Sequence, residues 1–416
     1  MILPRKSNLK CDSLLRAAEW ECCVGTETVA GRLEAQIRDA RLRILIVGAG
    51  IAGAALGAIL RRRGESAAII ERGEAHGSGG YMLGILPLGG RVLNGLGLAG
   101  TYLKNSLPMS TYILHDRRGG FIRKYSLSPL VERFGAWRGI ERGPLLEILR
   151  TAAGPIEYEA TIQEISEGPS AATVTFHDGS QACFDVVVGA DGIHSHTRKM
   201  ILSAHEVEDF DLGWGGFVSW SALDESQADT YRELWSAGWG IGLYPVPGRT
   251  GMFLGGRHDV LSGRDPESYA AELESRLPNG PFLNALKSRD RSASGFYWKL
   301  ADCRAKVWHR GHTVLLGDAA AAFLPTAGVG ASAALDSAAA LADELSRADA
   351  AHIEYAFDLY VKRQRRRVEA AQKNSRELAK YMFVNQPAMA WARDQAMRFY
   401  TPEMLLKGIS KVMAGD

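Results

Sequence analysis

The chain has 416 residues, 46% hydrophobic and 23% charged, with a net charge of +2. That length exceeds one ordinary compact domain, predicts two or three interleaved ones, and buries enough surface to need no metal or disulfide staple. There is no apolar run of the roughly 18 residues a membrane-spanning helix needs, and the near-neutral charge singles out no charged partner.

The five cysteines, Cys11, Cys22, Cys23, Cys183 and Cys303, are odd in number and lack metal-ligand spacing, which fits a reducing compartment. The N-terminus carries no signal-peptide apolar core, so a cytoplasmic location is expected.

Residues 1–40 read as an N-terminal extension, with a helix over 29–41 that puts Leu33, Ile37 and Ala40 on one side. Residues 42–47 form a continuously apolar strand, as a buried parallel strand should. The patch Gly48-Ala49-Gly50-Ile51-Ala52-Gly53 follows. A helix over 54–63 ends at Gly64, and a second strand over 67–70 ends at Glu71. Together these make a βαβ unit of about 30 residues.

Residues 111–115 and 121–125 pair as a hairpin around Arg118-Gly119-Gly120, and 144–153 is a helix. Strands are expected over 156–165 and 172–176, with a turn at His177-Asp178-Gly179-Ser180. An apolar strand over 184–188 leads into a second patch, Gly189-Ala190-Asp191-Gly192. Residues 210–300 are rich in aromatics, among them Trp214, Phe217, Trp220, Trp235, Trp239, Tyr244, Phe253 and Trp298, and read as an antiparallel sheet with a turn at Pro247-Gly248. A strand over 313–316 opens the third patch, Gly317-Asp318-Ala319-Ala320, and helices follow over 335–345 and 353–382.

In the first patch the glycines allow a tight turn, close approach of a pyrophosphate, and helix–strand packing. The helix N-terminus supplies N–H groups and the positive end of its dipole. Glu71 stands where an acid accepts hydrogen bonds from a ribose, and favours FAD or NAD over a ligand with a 2′-phosphate. Arg72 beside it is a candidate to flank the adenosine.

The three patches, in this order, resemble those of the group A FAD-dependent monooxygenases, the para-hydroxybenzoate hydroxylase-like family. The second patch, continuing Ile193-His194-Ser195-His196-Thr197-Arg198, is similar to that family's DG segment. The third, followed by Pro325, Gly328 and Gly330, is similar to its GD segment. Arg142, Leu145 and Leu149 match an R-x-x-L-x-x-x-L segment whose arginine lies near the flavin. The likeness covers roughly residues 42–380.

The resemblance implies an α/β fold: a two-layer, Rossmann-like FAD-binding domain interleaved with a mixed or antiparallel sheet substrate domain, plus C-terminal helices. The FAD domain would comprise residues 41–110, 136–205 and 306–350. The substrate domain would comprise a hairpin over 111–135 and a sheet over 206–305, and the C-terminal helical region 351–416. Asp318 would hydrogen-bond the ribityl chain, and Asp191 would sit near the pyrophosphate. Gly328 to Ala331 would open a helix toward the pyrimidine edge of the flavin, where negative charge develops on reduction. Ala321 and Ala331-Ser332 depart from the family pattern, which often has His and Asn at these places.

The implied reaction is monooxygenation. NADH or NADPH reduces FAD, O2 adds as a C4a-hydroperoxide, and an aromatic or polycyclic apolar small molecule is hydroxylated or epoxidised. A flavin-dependent halogenase, an FAD-dependent reductase and a non-catalytic FAD-binding protein are the alternatives. Gly238-Trp239-Gly240-Ile241-Gly242-Leu243-Tyr244-Pro245 faintly echoes the tryptophan-rich motif of the halogenases. Neither a catalytic side chain nor a metal site is assigned.

His194, His196 and His258 read better as loop or cap residues than as acid–base groups. The basic run Lys362-Arg363-Gln364-Arg365-Arg366-Arg367 reads as a solvated helix face, so no nucleic-acid partner is expected. Residues 389–413 read as a helix packed on the domain.

Overall fold

Residues 44–47 read Ile-Leu-Ile-Val, and a strand sends alternate side chains to opposite faces. In the computed structural model, which describes residues 27–75, 80–292 and 295–401, strand Ile44–Val47 therefore feeds two cores. Ile44 and Ile46 pack with Leu56, Leu145 and Leu335 on one side. Leu45 and Val47 pack with Val29, Leu33, Phe176 and Phe184 on the other.

This strand belongs to a six-stranded sheet ordered His309–Arg310, Thr313–Leu315, Val186–Gly189, Ile44–Val47, Ala68–Glu71 and Glu157–Tyr158. All its pairings are parallel except the one at the His309–Arg310 edge. Val47 pairs with Gly189, and Gly189 with Leu315. The three glycine patches, far apart in sequence, thus leave the carboxyl ends of three neighbouring parallel strands. Open α/β sheets bind ligands at that edge.

Helices Ile51–Arg62, Arg142–Ala153 and Gly330–Leu345 cover one face of the sheet. Helix Val29–Ile37 and a small antiparallel sheet of Ile162–Glu167, Ala172–Phe176 and Gln181–Phe184 cover the other. The FAD-type unit therefore has three layers where two were expected. The alternation of Val174 and Phe176 with polar neighbours gives the small sheet its own apolar face.

Two strands expected to be continuous are each divided. Residues 156–165 break at Glu159, whose positive φ of 54° ends Glu157–Tyr158 before Ile162–Glu167 begins. Residues 184–188 break at Asp185, a buried carboxylate that Arg43 holds at 2.6 Å. Phe184 and Val186 consequently belong to different sheets.

The second unit is a seven-stranded sheet ordered Phe296–Ala305, Val207–Ala222, Arg249–Arg257, Trp239–Val246, Thr230–Trp235, Thr111–His115 and Phe121–Ser126. The hairpin of residues 111–126 joins it through a parallel pairing with Thr230–Trp235. Helices Pro266–Arg276 and Pro281–Lys287 cover one face, burying Leu234, Ile241 and Leu254 against Leu273 and Phe282. The opposite face looks toward the FAD-type unit.

Helix Ile353–Met382 buries Phe357 and Tyr360 in the main core, and its last turn reaches the space between the two units. In its basic run, Arg365 and Arg367 are ion-paired with Glu369 and Asp336 at 2.8 and 2.7 Å, and Arg363 with Asp343 at 2.8 Å. Helix Pro387–Met397 follows, and residues 402–416 of the expected 389–413 helix region and beyond lie outside the described residues, as do Cys11, Cys22 and Cys23. Among the described residues no helix is long and apolar enough to cross a membrane.

Candidate active site

The first patch is built by close contact. Gly48 has φ +103°, and a Cβ there would lie 2.6 Å from the Ala190 carbonyl oxygen of the second patch. A Cβ on Gly53 would lie 1.9 Å from the Gly48 oxygen. Gly50 is different: its Cβ would meet nothing within 4 Å. Packing requires Gly48 and Gly53, whereas Gly50 keeps space open. Helix Ile51–Arg62 begins there without a side-chain cap, so its first-turn N–H groups remain for an anion.

Glu71 lies against this turn. Its Oε2 accepts the Ala49 N–H at 2.9 Å and its Oε1 accepts the Gly73 N–H at 3.0 Å. A carboxylate has further lone pairs, so the acid can still accept from a ribose. Arg150, absent from the sequence reading, donates to the Ala49 carbonyl at 2.9 Å and stands 3.8 Å from Glu71. It follows Arg142 by eight residues on helix Arg142–Ala153, a spacing that puts both on one side. Arg72 is exposed beyond the strand end.

Asp191, expected near a pyrophosphate, lies beside the Gly48 turn, and its carboxylate is engaged by the turn that follows it. It accepts the His196 and Thr197 N–H groups at 2.7 and 3.0 Å, the Thr197 hydroxyl at 3.1 Å, and the Ser195 hydroxyl. The aspartate thus caps helix His196–Ile201, where the helix dipole favours its charge. Ala190 and Gly192, not Asp191, line the central cavity. His194 and His196 are exposed, and His258 pairs with the Tyr297 hydroxyl at 2.7 Å away from that cavity.

That cavity, of about 360 Å³, lies between the two units. Gly50, Ile51, Ala52, Arg142, Asp318, Pro325, Gly328, Gly330 and Ala331 line its wall on the FAD-type side. Leu145 and Leu149 are fully buried in the core and anchor the helix that presents Arg142. Asp318 lines this cavity and is open to it by surface area, although the neighbouring protein mass around its carboxyl is dense. The resulting desolvation pushes the carboxyl up to about 6, against the pull of Arg142 and Arg198. Gly328 is left-handed at φ +59°, and helix Gly330–Leu345 starts two residues later without a side-chain cap.

The departures at 321 and 332 have structural roles. Ala321 is buried. The Ser332 hydroxyl accepts the Leu86 N–H at 2.9 Å, away from the cavity.

The far wall comes from the seven-stranded sheet. Tyr231, Glu233, Trp235, Tyr244 and Phe253 line it, with Trp137, Trp298 and Tyr81 alongside. Arg142 lies over the Tyr81 ring at 5.7 Å. Trp239 instead packs against the helix-covered core, so the stretch that echoes the halogenase motif does not place it at the cavity. Glu233 escaped the sequence reading. Its signal is the i, i+2 placement of Tyr231, Glu233 and Trp235 on one strand face.

These residues fit a flavin dinucleotide. The open space beside Gly50 admits a pyrophosphate, two uncapped helix N-termini supply N–H donors, and Asp318 offers a cavity-facing carboxylate. The model of the FAD-binding-domain family matches residues 41–375. The chain belongs to that family. It is an FAD-dependent monooxygenase. It is 28% identical over 352 residues to a flavin-dependent monooxygenase from an unknown prokaryote, covering 77% of this chain and 84% of the relative. It is 30% identical over 335 residues to a 3-amino-4-hydroxybenzoate 2-monooxygenase of Streptomyces platensis, covering 75% and 82%.

The fold of this monooxygenase is similar to that of Klebsiella pneumoniae HpxO complexed with FAD and uric acid. The TM-score is 0.80 at 22% identity, covering 90% of this chain and 97% of that one. Pseudomonas aeruginosa PqsL, solved with 2-aminobenzoylacetate, gives a TM-score of 0.74 at 21% identity, covering 85% and 99%.

Proposed function

We propose that this monooxygenase uses NADH or NADPH and O2 to hydroxylate or epoxidise an aromatic small molecule held between the two units. The observation that carries this reading is the convergence of the three glycine patches on one cavity whose opposite wall is aromatic. Bound FAD supplies the redox and oxygen chemistry; the protein binds, orients and excludes water.

Gly50 and the Ile51–Arg62 N-terminus would hold the pyrophosphate, Glu71 the ribose, and Asp318 the ribityl hydroxyls. The N-terminus of Gly330–Leu345 and Arg142 would favour negative charge on the pyrimidine edge of the reduced flavin. Asp191 serves this site indirectly, by fixing the loop that touches Gly48. The aromatic wall, with Phe253, Trp298 and Tyr244, would seat a flat apolar body and keep bulk water from the reacting centre.

The test is reduction of the FAD-loaded protein by NADH or NADPH under anaerobic conditions, followed by admission of O2. Bleaching by one nicotinamide, accelerated by an aromatic ligand, supports the reading. A flavin that neither nicotinamide bleaches with any aromatic ligand present rejects it.

A further inference from the structure

We propose that the cavity wall around Glu233 is a recognition site for an ammonium group carried by the aromatic substrate, an inference that rests on the monooxygenase reading above. Strand Thr230–Trp235 places Tyr231, Glu233 and Trp235 toward the cavity and Leu234 into the helix-covered core. The Glu233 carboxylate accepts the Tyr112 hydroxyl and the Trp235 indole N–H, both at 2.8 Å, on Oε2. It accepts the Tyr244 hydroxyl at 2.7 Å on Oε1.

An ionised carboxylate offers about four lone-pair sites, so these three donors leave one, on Oε1. Indole can only donate, and three donors together hold the group as an acceptor. Among the described residues Glu233 forms no ion pair. Arg142, the cation on the cavity wall, acts on Asp318 and Tyr81 instead. Burial opposes ionisation of Glu233, and its donors oppose that effect only in part.

A carboxylate is a costly way to tie strands together, because apolar packing ties them without desolvating a charge. The surroundings supply a use for it. The Tyr231 and Tyr244 rings meet edge to face at 5.1 Å, and Trp137 meets Tyr231 at 6.4 Å. Aromatic rings lining the same cavity as one carboxylate favour an organic cation, through the ring quadrupoles and by direct charge. A neutral or anionic group would gain neither, and an anion would be repelled.

The experiment uses the FAD-loaded protein and three probes of similar size: 2-phenylethylammonium, neutral 2-phenylethanol and anionic 3-phenylpropionate. Binding is read by calorimetry and by perturbation of the flavin spectrum. The ammonium probe is expected to bind at least about tenfold more tightly than the other two. Glu233→Gln should lose about tenfold for the ammonium probe and stay within about twofold for 2-phenylethanol. Tyr244→Phe, which keeps the carboxylate, should retain the preference. Equal or reversed ranking in the unmodified protein, or no binding of the ammonium probe, overturns the proposal whether or not the variants fold. Flavin content and nicotinamide bleaching are recorded on the same sample. A bleachable flavoprotein with no cation preference defeats this inference alone, whereas failure to bleach defeats the monooxygenase reading.

Discussion

Arg198, in the helix after the second glycine patch, donates to the Ala319 carbonyl in the third patch at 2.9 Å. The same guanidinium donates to the Ile193 carbonyl and is 4% exposed. One buried side chain therefore clamps two of the three loops that form the cavity edge. Arg198→Ala would leave the Ala319 carbonyl unpaired and the Ile193 carbonyl with only the weak Cys303 thiol donor, and should cost roughly 2–4 kcal/mol of stability. Thermal melting with and without FAD checks this. The variant should melt lower in both states and bind FAD more weakly, and an unchanged melting temperature would refute the clamp.

Gly48 and Gly50 should respond oppositely to the same substitution. Gly48→Ala places a methyl group against Ala190 at a positive φ, and should cost at least about 1–3 kcal/mol in the FAD-free protein. Gly50→Ala meets no protein atom and its φ of −70° suits alanine. Its FAD-free melting should be unchanged, while FAD affinity falls about tenfold or more. Denaturation and fluorescence titration of the pair separate a packing glycine from a ligand-facing one.

Asp191 is expected to act on the fold rather than on the cofactor. Removing its cap by Asp191→Ala should cost about 1–2 kcal/mol. The loss should be present without FAD, because all four of its contacts lie within residues 195–197. An Asp191→Ala protein with native FAD-free stability but no FAD binding would restore the direct cofactor role.

Asp318 gives a pH dependence of defined sign. Its carboxyl titrates near 6 in the folded protein, above the ordinary aspartate value of about 4. A raised carboxyl favours folding most at pH below the unfolded value, and that contribution is lost as pH climbs through about 6. FAD-free Asp318→Asn should therefore be more stable than the parent at pH 8, with the gap closing near pH 4. Ribityl hydroxyls donating to the ionised carboxylate predict the opposite trend for binding. FAD affinity should rise between pH 5 and pH 7 in the parent and stay flat in Asp318→Asn. Equal pH profiles for the two proteins would remove Asp318 from the site.

The sheet edge was legible because each patch closes an apolar strand, and parallel strands with connecting helices bring such ends together. Arg142 was legible only through the likeness to the family's R-x-x-L-x-x-x-L segment, whose leucines, Leu145 and Leu149, are buried and anchor the helix. Asp191 was harder, since a carboxylate satisfied by its own next turn has the same sequence as one that meets a ligand. Phe184-Asp185-Val186 hid a change of sheet, because burial of Asp185 depends on Arg43, distant in sequence. Glu233 was overlooked among aromatics whose abundance suited a plain core. Its exposure to a cavity depends on which face of the strand the helices cover, and that is a tertiary fact.

The central claim is oxygen transfer at the cavity between the two units. The direct measurement is turnover of the FAD-loaded protein with NADH or NADPH under oxygen-18 gas, using an aromatic ligand that binds at the cavity, with the product read by mass spectrometry. The account predicts product carrying one oxygen-18 atom from the gas, at a yield that falls in Gly50→Ala when FAD is limiting. A product that is chlorinated, saturated without oxygen, or labelled only from water would contradict it.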